Sequence, residues 1–202
     1  MLIDITKHLK KHISGIIQVG AHHGNEYPFL KNISENILMF EPQKEAYEIL
    51  CNSFKDEKLL KIKNVAVGSE NKKMMMFKET ANQGQSSSLM LPVLHLIQYP
   101  HINFTSSEVV DVVMLNTFFE NEELTYNLLM VDVQGFELEV FRGATSILEK
   151  IDYILCEVNR AELYKGCPMV EEIDEFLNSY NFKRTETSWD GHTWGDAFYE
   201  KQ

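Results

Sequence analysis

Two glycines and a glutamate form the pattern in this sequence that is most able to do chemistry. The apolar residues 16–17 and Val19 lead into Gly20 and Gly24, and a second apolar run, 37–40, ends on Glu41. Glycine lets a loop approach a ligand closely, and a carboxylate at the tip of the next strand can accept hydrogen bonds from ribose hydroxyls. The pattern therefore predicts a site for a nucleotide-like cofactor. The residues expected to contact it here are Gly20, Ala21, His22, Gly24, Glu41 and Pro42.

The glycine loop is too sparse for two common nucleotide sites. A dinucleotide site follows the pattern G-x-G-x-x-G, whereas this loop has only Gly20 and Gly24, so a pyrophosphate cradle would be incomplete. The Gly-Lys-Ser/Thr ending of a P-loop is also absent. S-adenosylmethionine carries no phosphate, so one tight turn, one close approach and the acid Glu41 would suffice for it. A nicotinamide-dependent oxidoreductase is the less favoured alternative.

Acids and histidines follow two of the apolar runs. His22 and His23 lie on the glycine turn, and Asp132 and Glu137 follow the run 128–131. At the carboxyl ends of parallel strands these groups could accept a proton from a hydroxyl. We favour Asp132 as this base, with Glu137 and His22 as alternatives, although an aspartate here could also cap a helix. Two adjacent histidines should point apart, and no ligand spacing predicts a metal site.

The elements that must position these residues alternate between strand and helix, which is typical of a parallel sheet covered on both faces. Strands are predicted at 16–20, 37–41, 61–67, 128–133 and 153–158. Apolar spacing predicts a helix that opens at Pro42, a three-turn helix from Val140 to Ile151 and a third helix from Val170 to Tyr180.

Two segments fall outside this alternation. Residues 68–127 are too long for a simple crossover and contain strand-like runs at 74–77 and 109–115, which predicts an insertion that shapes the substrate side. Residues 181–201 alternate like a hairpin around a turn at 189–196 and should close the far edge of the sheet. No linker or repeat divides the chain, so residues 1–202 are predicted to form a single domain.

Seven short segments, in this order and at these spacings, resemble one enzyme family. They are VGAHHGNEY at 19–27, FEP at 40–42, NVAVGS at 64–69, SSSL at 86–89, VDVQGFELEVFRGA at 131–144, CEVN at 156–159 and WGDAF at 194–198. Along nearly its whole length the chain resembles FkbM-type S-adenosylmethionine-dependent methyltransferases. The resemblance implies the class I methyltransferase fold, an α/β fold with a mostly parallel seven-stranded sheet, a reversed last strand and helices on both faces. It also implies O-methylation, often of sugar hydroxyls in glycans, glycoconjugates or secondary metabolites.

The chain departs from the family pattern at two positions. The family usually has aspartate where Gln18 stands and glutamate where Gln134 stands, so a non-catalytic S-adenosylmethionine-binding module is an alternative interpretation. Further cofactor contacts are expected from Asp132, and from Val65 and Ala66 at the adenine, although Val65 and Ala66 could simply pack in the core. Acceptor contacts are expected from Ser87, Ser88, Trp189, His192 and Trp194. The serines could instead form a flexible loop, and the aromatic residues could fold over the core.

Charge and cysteine content limit the kinds of binding partner and the location that the sequence predicts. The formal net charge is −11 and the longest basic cluster is Lys7 with Lys10 and Lys11, which argues against nucleic acid. The three cysteines contain no CxxC pair and indicate a reducing, cytoplasmic location. No apolar stretch reaches the length of a membrane span, and the opening residues lack the apolar core of a signal peptide. The expected partner is a small-molecule or glycan acceptor, and the sequence does not predict the oligomeric state.

Overall fold

The structure, a computed structural model, describes all 202 residues. Its ten strands are β1 (Ile16–Val19), β2 (Ile37–Phe40), β3 (Lys61–Lys63), β4 (Ala66–Val67), β5 (Lys72–Glu79), β6 (Phe104–Val113), β7 (Leu128–Val131), β8 (Tyr153–Asn159), β9 (Phe182–Asp190) and β10 (Trp194–Lys201). Its helices are α1 (Tyr27–Leu30), α2 (Lys44–Ser53), α3 (Leu94–Gln98), α4 (Leu115–Phe118), α5 (Glu137–Arg142), α6 (Thr145–Leu148) and α7 (Val170–Asn178), with a 3₁₀ turn at Ile5–Lys7. None of the helices has the length and apolarity needed to cross a bilayer.

Seven of the strands form a central sheet in the order β3-β2-β1-β7-β8-β10-β9. β1 pairs in parallel with β2 on one side and with β7 on the other, and β7 pairs in parallel with β8. β10 runs antiparallel to both β8 and β9. The mostly parallel sheet with a reversed last strand is therefore confirmed, and the reversed strand lies inside the sheet rather than at its edge.

The short apolar strands are buried because the sheet is covered on both faces. Along β1, Ile17 and Val19 join a cluster of 25 buried residues that includes side chains from α4, α5, α6 and α7. Ile16 faces the other way, into a cluster of 15 buried residues that includes side chains from the 3₁₀ turn, α1 and α2. Alternate residues of a strand point to opposite faces, so a single strand can serve both clusters. Helices on both faces are confirmed.

The helix predicted from Val140 to Ile151 is wrong as a single element, because it breaks into α5 and α6. The backbone N–H of Asn116 donates to the carbonyl of Gly143, at 2.9 Å, so this carbonyl bonds outside the helix. The Asn116 side chain then accepts from the N–H of Ser146 at 2.9 Å, in the first turn of α6. The apolar residues keep their burial. A smaller correction concerns α2, which starts at Lys44 rather than at Pro42.

The strand predicted at 61–67 is also divided in two. β3 pairs with β2 in the central sheet, whereas β4 pairs in parallel with β6 in a second, three-stranded sheet of order β4-β6-β5. Between β3 and β4, the Asn64 side chain donates to the carbonyl oxygens of Glu41 (2.9 Å) and Pro42 (3.0 Å), which holds the chain where it changes sheets. The second sheet thus contains both strand-like runs of the irregular segment.

The C-terminal segment forms an antiparallel hairpin of β9 and β10. Its turn at 191–193 is shorter than the predicted turn at 189–196, so Trp189 and Trp194 belong to strands. Through β10 the hairpin joins the sheet beyond β8. This placement brings the start of β10 to the carboxyl end of β8.

Candidate functional site

A cavity of about 420 Å³ lies at the carboxyl ends of β1, β2, β7 and β8, and we call it the cleft. This size falls in the range of small-ligand sites. Of the residues predicted to bind a cofactor, the cleft brings together Gly20, Ala21, His22, Glu41, Pro42, Val65, Ala66 and Asp132. Parallel strands end at the same edge of a sheet, which explains why residues so distant in sequence meet here.

The two glycines of the loop have different roles. Gly20 has a φ of +85°, and a Cβ there would lie 1.8 Å from the carbonyl oxygen of Asp132. Only glycine therefore lets the end of β1 pass the end of β7. Gly24 does not line the cleft. It packs against other side chains instead, since a Cβ at Gly24 would lie 2.4 Å from Leu50 and 2.7 Å from Phe54. Its close approach is to α2 and the residue that follows it.

Glu41 joins the loops that follow β1 and β2. It is only 2% exposed, and its two carboxylate oxygens accept from the backbone N–H groups of His22 (2.7 Å) and Gln43 (2.8 Å). Burial raises the pKa of Glu41 to about 7, although these two hydrogen bonds act in the opposite direction. Each carboxylate oxygen can accept a second hydrogen bond, so Glu41 can hold both loops and still bind a ligand hydroxyl.

Asp132 lies at the other side of the cleft, directly after β7. Its side chain is exposed within the cleft, and one oxygen accepts from the Gln134 amide at 2.8 Å. The same amide nitrogen donates to Glu157 at 3.0 Å. Protein surrounds the cleft, and this desolvation raises the pKa of Asp132, as do the carboxylates of Asp196 and Glu26, against the effect of the Gln134 bond.

Glu137 lies behind the cleft wall rather than in it. Its side chain is fully buried, and one oxygen accepts from the N–H groups of Val133 (3.1 Å) and Gly135 (3.0 Å). No protein group bonds to the other oxygen, and burial raises the pKa of Glu137 to about 7. Glu137 therefore shapes the turn that carries Gln134, whose φ is +56°.

The prediction that the two histidine side chains point apart is wrong. Their rings stack with centroids 3.8 Å apart, because His22 has a φ of +47° that turns the chain. His22 lines the cleft, and its Nε2 is 2.8 Å from the carbonyl oxygen of Gln83. His23 does not line the cleft.

Only some of the predicted acceptor residues reach the cleft. Ser87 and Trp194 line it, and the Trp194 indole N–H donates to the hydroxyl of Tyr99 at 3.0 Å. Ser88 does not line it, since its hydroxyl donates to the carbonyl of Gln134 at 2.6 Å. Trp189 and His192 are also outside the lining. The ring of Trp189 instead packs against the Arg160 guanidinium, 3.5 Å from the ring centroid.

Sequence reasoning missed several residues of the cleft. Glu157 and Asp196 line it from β8 and β10, and the signal for them was present, because both lie in segments that match the family. Burial and the nearby Asp132 raise the pKa of Glu157 well above its usual range. His95, from α3, is 4% exposed and lines the cleft beside Tyr99, and no protein group bonds to its Nδ1. Burial lowers the pKa of His95, which favours the neutral ring at pH 7.

The charged side chains in the lining of the cleft are all acidic. They are Glu26, Glu41, Asp132, Glu157, Asp190 and Asp196, with no lysine or arginine among them. Burial raises the pKa of Glu41, Asp132 and Glu157, but an acidic lining without lysine or arginine still favours a ligand with positive charge and opposes an anionic one. S-adenosylmethionine carries a sulfonium and an ammonium group, so the residues present fit it. The structure has no group of three or more histidine, cysteine or acidic side chains placed to hold a metal ion.

The sheet order, the reversed β10 and the cleft at the strand ends together define the class I methyltransferase fold. Residues 18–184 match the family model described as the methyltransferase FkbM domain. The chain belongs to this family. Membership confirms the resemblance drawn from the sequence segments, and with it S-adenosylmethionine as the cofactor.

A curated relative is similar over part of the chain. The 2-O-methyltransferase NoeI of Sinorhizobium fredii is 30% identical over 96 residues. The match covers 47% of this chain and 40% of that protein, so it spans less than half of either.

Solved structures share the fold at low identity. An rRNA methylase from Streptococcus thermophilus has a TM-score of 0.54 and 10% identity, over 98% of this chain and 92% of that one. TrmK from M. capricolum, in complex with S-adenosylhomocysteine, has a TM-score of 0.51 and 11% identity, over 93% of this chain and 62% of that one. At such identities the likeness shows the fold alone.

Proposed function

We propose that this chain is an S-adenosylmethionine-dependent O-methyltransferase that acts on a sugar hydroxyl of a glycan, glycoconjugate or secondary metabolite. The observation that carries the proposal is the position of Asp132, a carboxylate that is exposed in the same cleft that Glu41 lines. When bound, the cofactor supplies a methyl group on a positively charged sulfur, which a hydroxyl oxygen can attack directly. The name of the NoeI relative supports O-methylation as the reaction.

The residues that hold the cofactor in this proposal come from the ends of β1 and β2 and from the connection between β3 and β4. Glu41 accepts hydrogen bonds from the ribose, because its carboxylate is fixed at the end of β2. Val65 and Ala66 lie against the adenine, and the loop of Gly20 to His22 binds the methionine part. The acidic lining complements the positive charges of the donor.

Asp132 accepts the proton of the acceptor hydroxyl. A base works best when its pKa is near the pH of the reaction, and desolvation moves the pKa of Asp132 upward in that direction. Glu137 is a weaker candidate because it lies behind the wall, and His22 is weaker because the Gln83 carbonyl engages its Nε2. The remaining rate enhancement comes from alignment of the reactants and exclusion of water.

The lining also favours a particular kind of acceptor. With six acids and no lysine or arginine, the cleft opposes phosphorylated, sulfated or carboxylated acceptors. Trp194 offers an aromatic face for the C–H side of a sugar, and Ser87, whose oxygen accepts from the N–H of Glu79 at 3.2 Å, offers its hydroxyl hydrogen. The acceptor is therefore an uncharged sugar. The three free cysteines favour a cytoplasmic location.

Two alternative functions are less well supported than methyl transfer. A nicotinamide-dependent oxidoreductase is unsupported, because the chain belongs to a methyltransferase family. A non-catalytic S-adenosylmethionine-binding module is the second candidate, since Gln134 engages one oxygen of the proposed base. Methyl transfer itself separates the module from the enzyme.

The test measures transfer from labelled S-adenosylmethionine to a panel of sugars, each present with and without a phosphate or sulfate group. We expect transfer to uncharged members only, and a loss of about 10²- to 10⁴-fold in Asp132→Asn. Asp111→Asn is the matched control, because Asp111 is an exposed carboxylate that pairs with Lys73 at 3.4 Å and lies outside the cleft. Calorimetry should show that both variants still bind S-adenosylhomocysteine. Binding without product on any sugar would support the module, and no binding would overturn the proposal.

A further inference from the structure

The side-chain amide of Gln134 lies between two carboxyl groups of the cleft. Its nitrogen donates to Asp132 at 2.8 Å and to Glu157 at 3.0 Å, so each amide hydrogen has one carboxyl partner. Gln134 supplies the N–H hydrogen bond to the Asp132 carboxylate, and the Glu157 carboxyl is also hydrogen-bonded to Asp132, which helps to raise the pKa of Glu157. A neutral donor here joins two acidic groups without adding a third charge.

The amide is itself held at its other end. The Tyr164 hydroxyl lies 3.0 Å from the side-chain oxygen of Gln134 and 2.9 Å from the carbonyl oxygen of Ser86. The Gln134 backbone carbonyl accepts from Ser88 at 2.6 Å. An amide turned by 180° would lose its N–H bonds to both carboxyl groups and would place its oxygen against the Asp132 carboxylate, acceptor against acceptor, so the neighbours determine its orientation.

The charged groups that act on Asp132 are nearly all acidic. They are Glu26 after β1, Glu137 after β7, Glu157 on β8 and Asp196 on β10, opposed by the amino group of Met1. Like charges favour the protonated form of a carboxyl group. A donated hydrogen bond favours the ionised form, and Gln134 supplies that bond.

We propose that Gln134 is a positioning residue that orients the Asp132 carboxylate and keeps it available as a proton acceptor, with Tyr164 and Glu157 fixing the amide. The role of Asp132 as base rests on the proposed function. The hydrogen-bonded arrangement does not, so it can be tested without any acceptor.

The first experiment follows the Asp132 and Glu157 carboxyl carbons by ¹³C NMR as the pH is changed. The variants are Gln134→Met, which keeps the length but loses the donor, and Gln134→Glu, which adds a third acid. We expect the titration of the Asp132 and Glu157 pair to move upward by about one pH unit in Gln134→Met and by more in Gln134→Glu. Tyr164→Phe should give a smaller upward shift, because it only loosens the amide. An unchanged titration in Gln134→Met would overturn the proposal.

The second experiment asks whether this arrangement matters for turnover. In Gln134→Met, the pH profile of kcat should shift to higher pH while the affinity for S-adenosylhomocysteine and the melting temperature stay close to wild type. A role in folding alone would lower the melting temperature without moving the profile, which would count against positioning. If no sugar is methylated but the NMR titration shifts, the proposed function fails while the arrangement stands. If methylation persists and the titration does not shift, only the positioning role fails.

Discussion

The two sides of the cleft hold their acids in different ways. Glu41 is almost fully buried, and backbone N–H groups bind both of its oxygens. Asp132 is exposed within the cleft, and its N–H donor is a side chain, that of Gln134. An acid bound by backbone groups is fixed by the fold, whereas an acid bound by a side chain can be retuned by one substitution. The acid on the β2 side is therefore held the same way whatever the neighbouring side chains are, whereas a substitution beside the acid on the β7 side can change its pKa.

The largest effect should come from the residue where the two sides meet, Gly20. In Gly20→Ala, a left-handed backbone and a Cβ placed 1.8 Å from the Asp132 carbonyl oxygen should together cost about 2–5 kcal/mol of unfolding free energy, measured with urea. Gly191→Ala is the matched control, because Gly191 has a φ of +64° but nothing within 4 Å of an added Cβ. It should lose no more than about 2 kcal/mol. Equal losses would mean that the two sides do not press against each other at Gly20.

A smaller effect should distinguish the two acids by pH. The folded-state pKa of Glu41 is about 7, above its ordinary value of 4.5, so the folded protein holds a proton that the unfolded chain has released. The free energy of unfolding should therefore fall as pH rises from about 4.5 to about 7, by at most about 3–4 kcal/mol for this group. Glu137 should contribute in the same direction.

The measurement compares urea unfolding at pH 5 and pH 7.5. Glu41→Gln replaces one acceptor oxygen by a donor and should lose stability at both pH values, but its dependence on pH should be weaker than that of the wild type. Asp132→Asn should weaken the dependence less, because the Asp132 side chain is exposed within the cleft. A wild-type slope in Glu41→Gln would show that burial does not protonate Glu41.

The smallest effect separates acceptor binding from cofactor binding. Trp194→Leu should raise the KM for a sugar acceptor by about fivefold, since stacking on an aromatic ring contributes about 1 kcal/mol, while S-adenosylhomocysteine affinity stays unchanged. Trp189→Leu should leave both unchanged, because the Trp189 ring packs on Arg160 outside the cleft lining. An equal rise in KM in the two variants would show that Trp194 does not contact the acceptor in a way that Trp189 does not.

The central sheet could be predicted because its strands are short, apolar and buried on both faces, as in β1, β2 and β7. The elements that were wrong depend on distant contacts. α5 and α6 separate because the backbone of Asn116 binds Gly143, and β3 and β4 separate where Asn64 binds the carbonyl of Glu41. No local pattern of apolar residues contains that information.

In the candidate site too, residues placed by the local sequence pattern could be predicted, and residues placed by distant contacts could not. Gly20, Glu41 and Asp132 could be placed because each comes directly after an apolar strand, where the end of a parallel strand must face the cleft. The position of Gly24 against α2 depends on tertiary packing. Glu157 was missed because it lies within a strand rather than after one.

The reversed strand has a consequence for the order in which this molecule is made. β9 is an edge strand whose one neighbour in the sheet is β10, and β10 follows it in the chain. During synthesis β9 therefore cannot pair until β10 has emerged from the ribosome. β10 also carries Asp196 into the wall beside Asp132. A nascent chain that ends before residue 194 therefore has the glycine turn and both strand-end acids but an incomplete pocket, and ligand-competent protein should form only after the last strand has been translated.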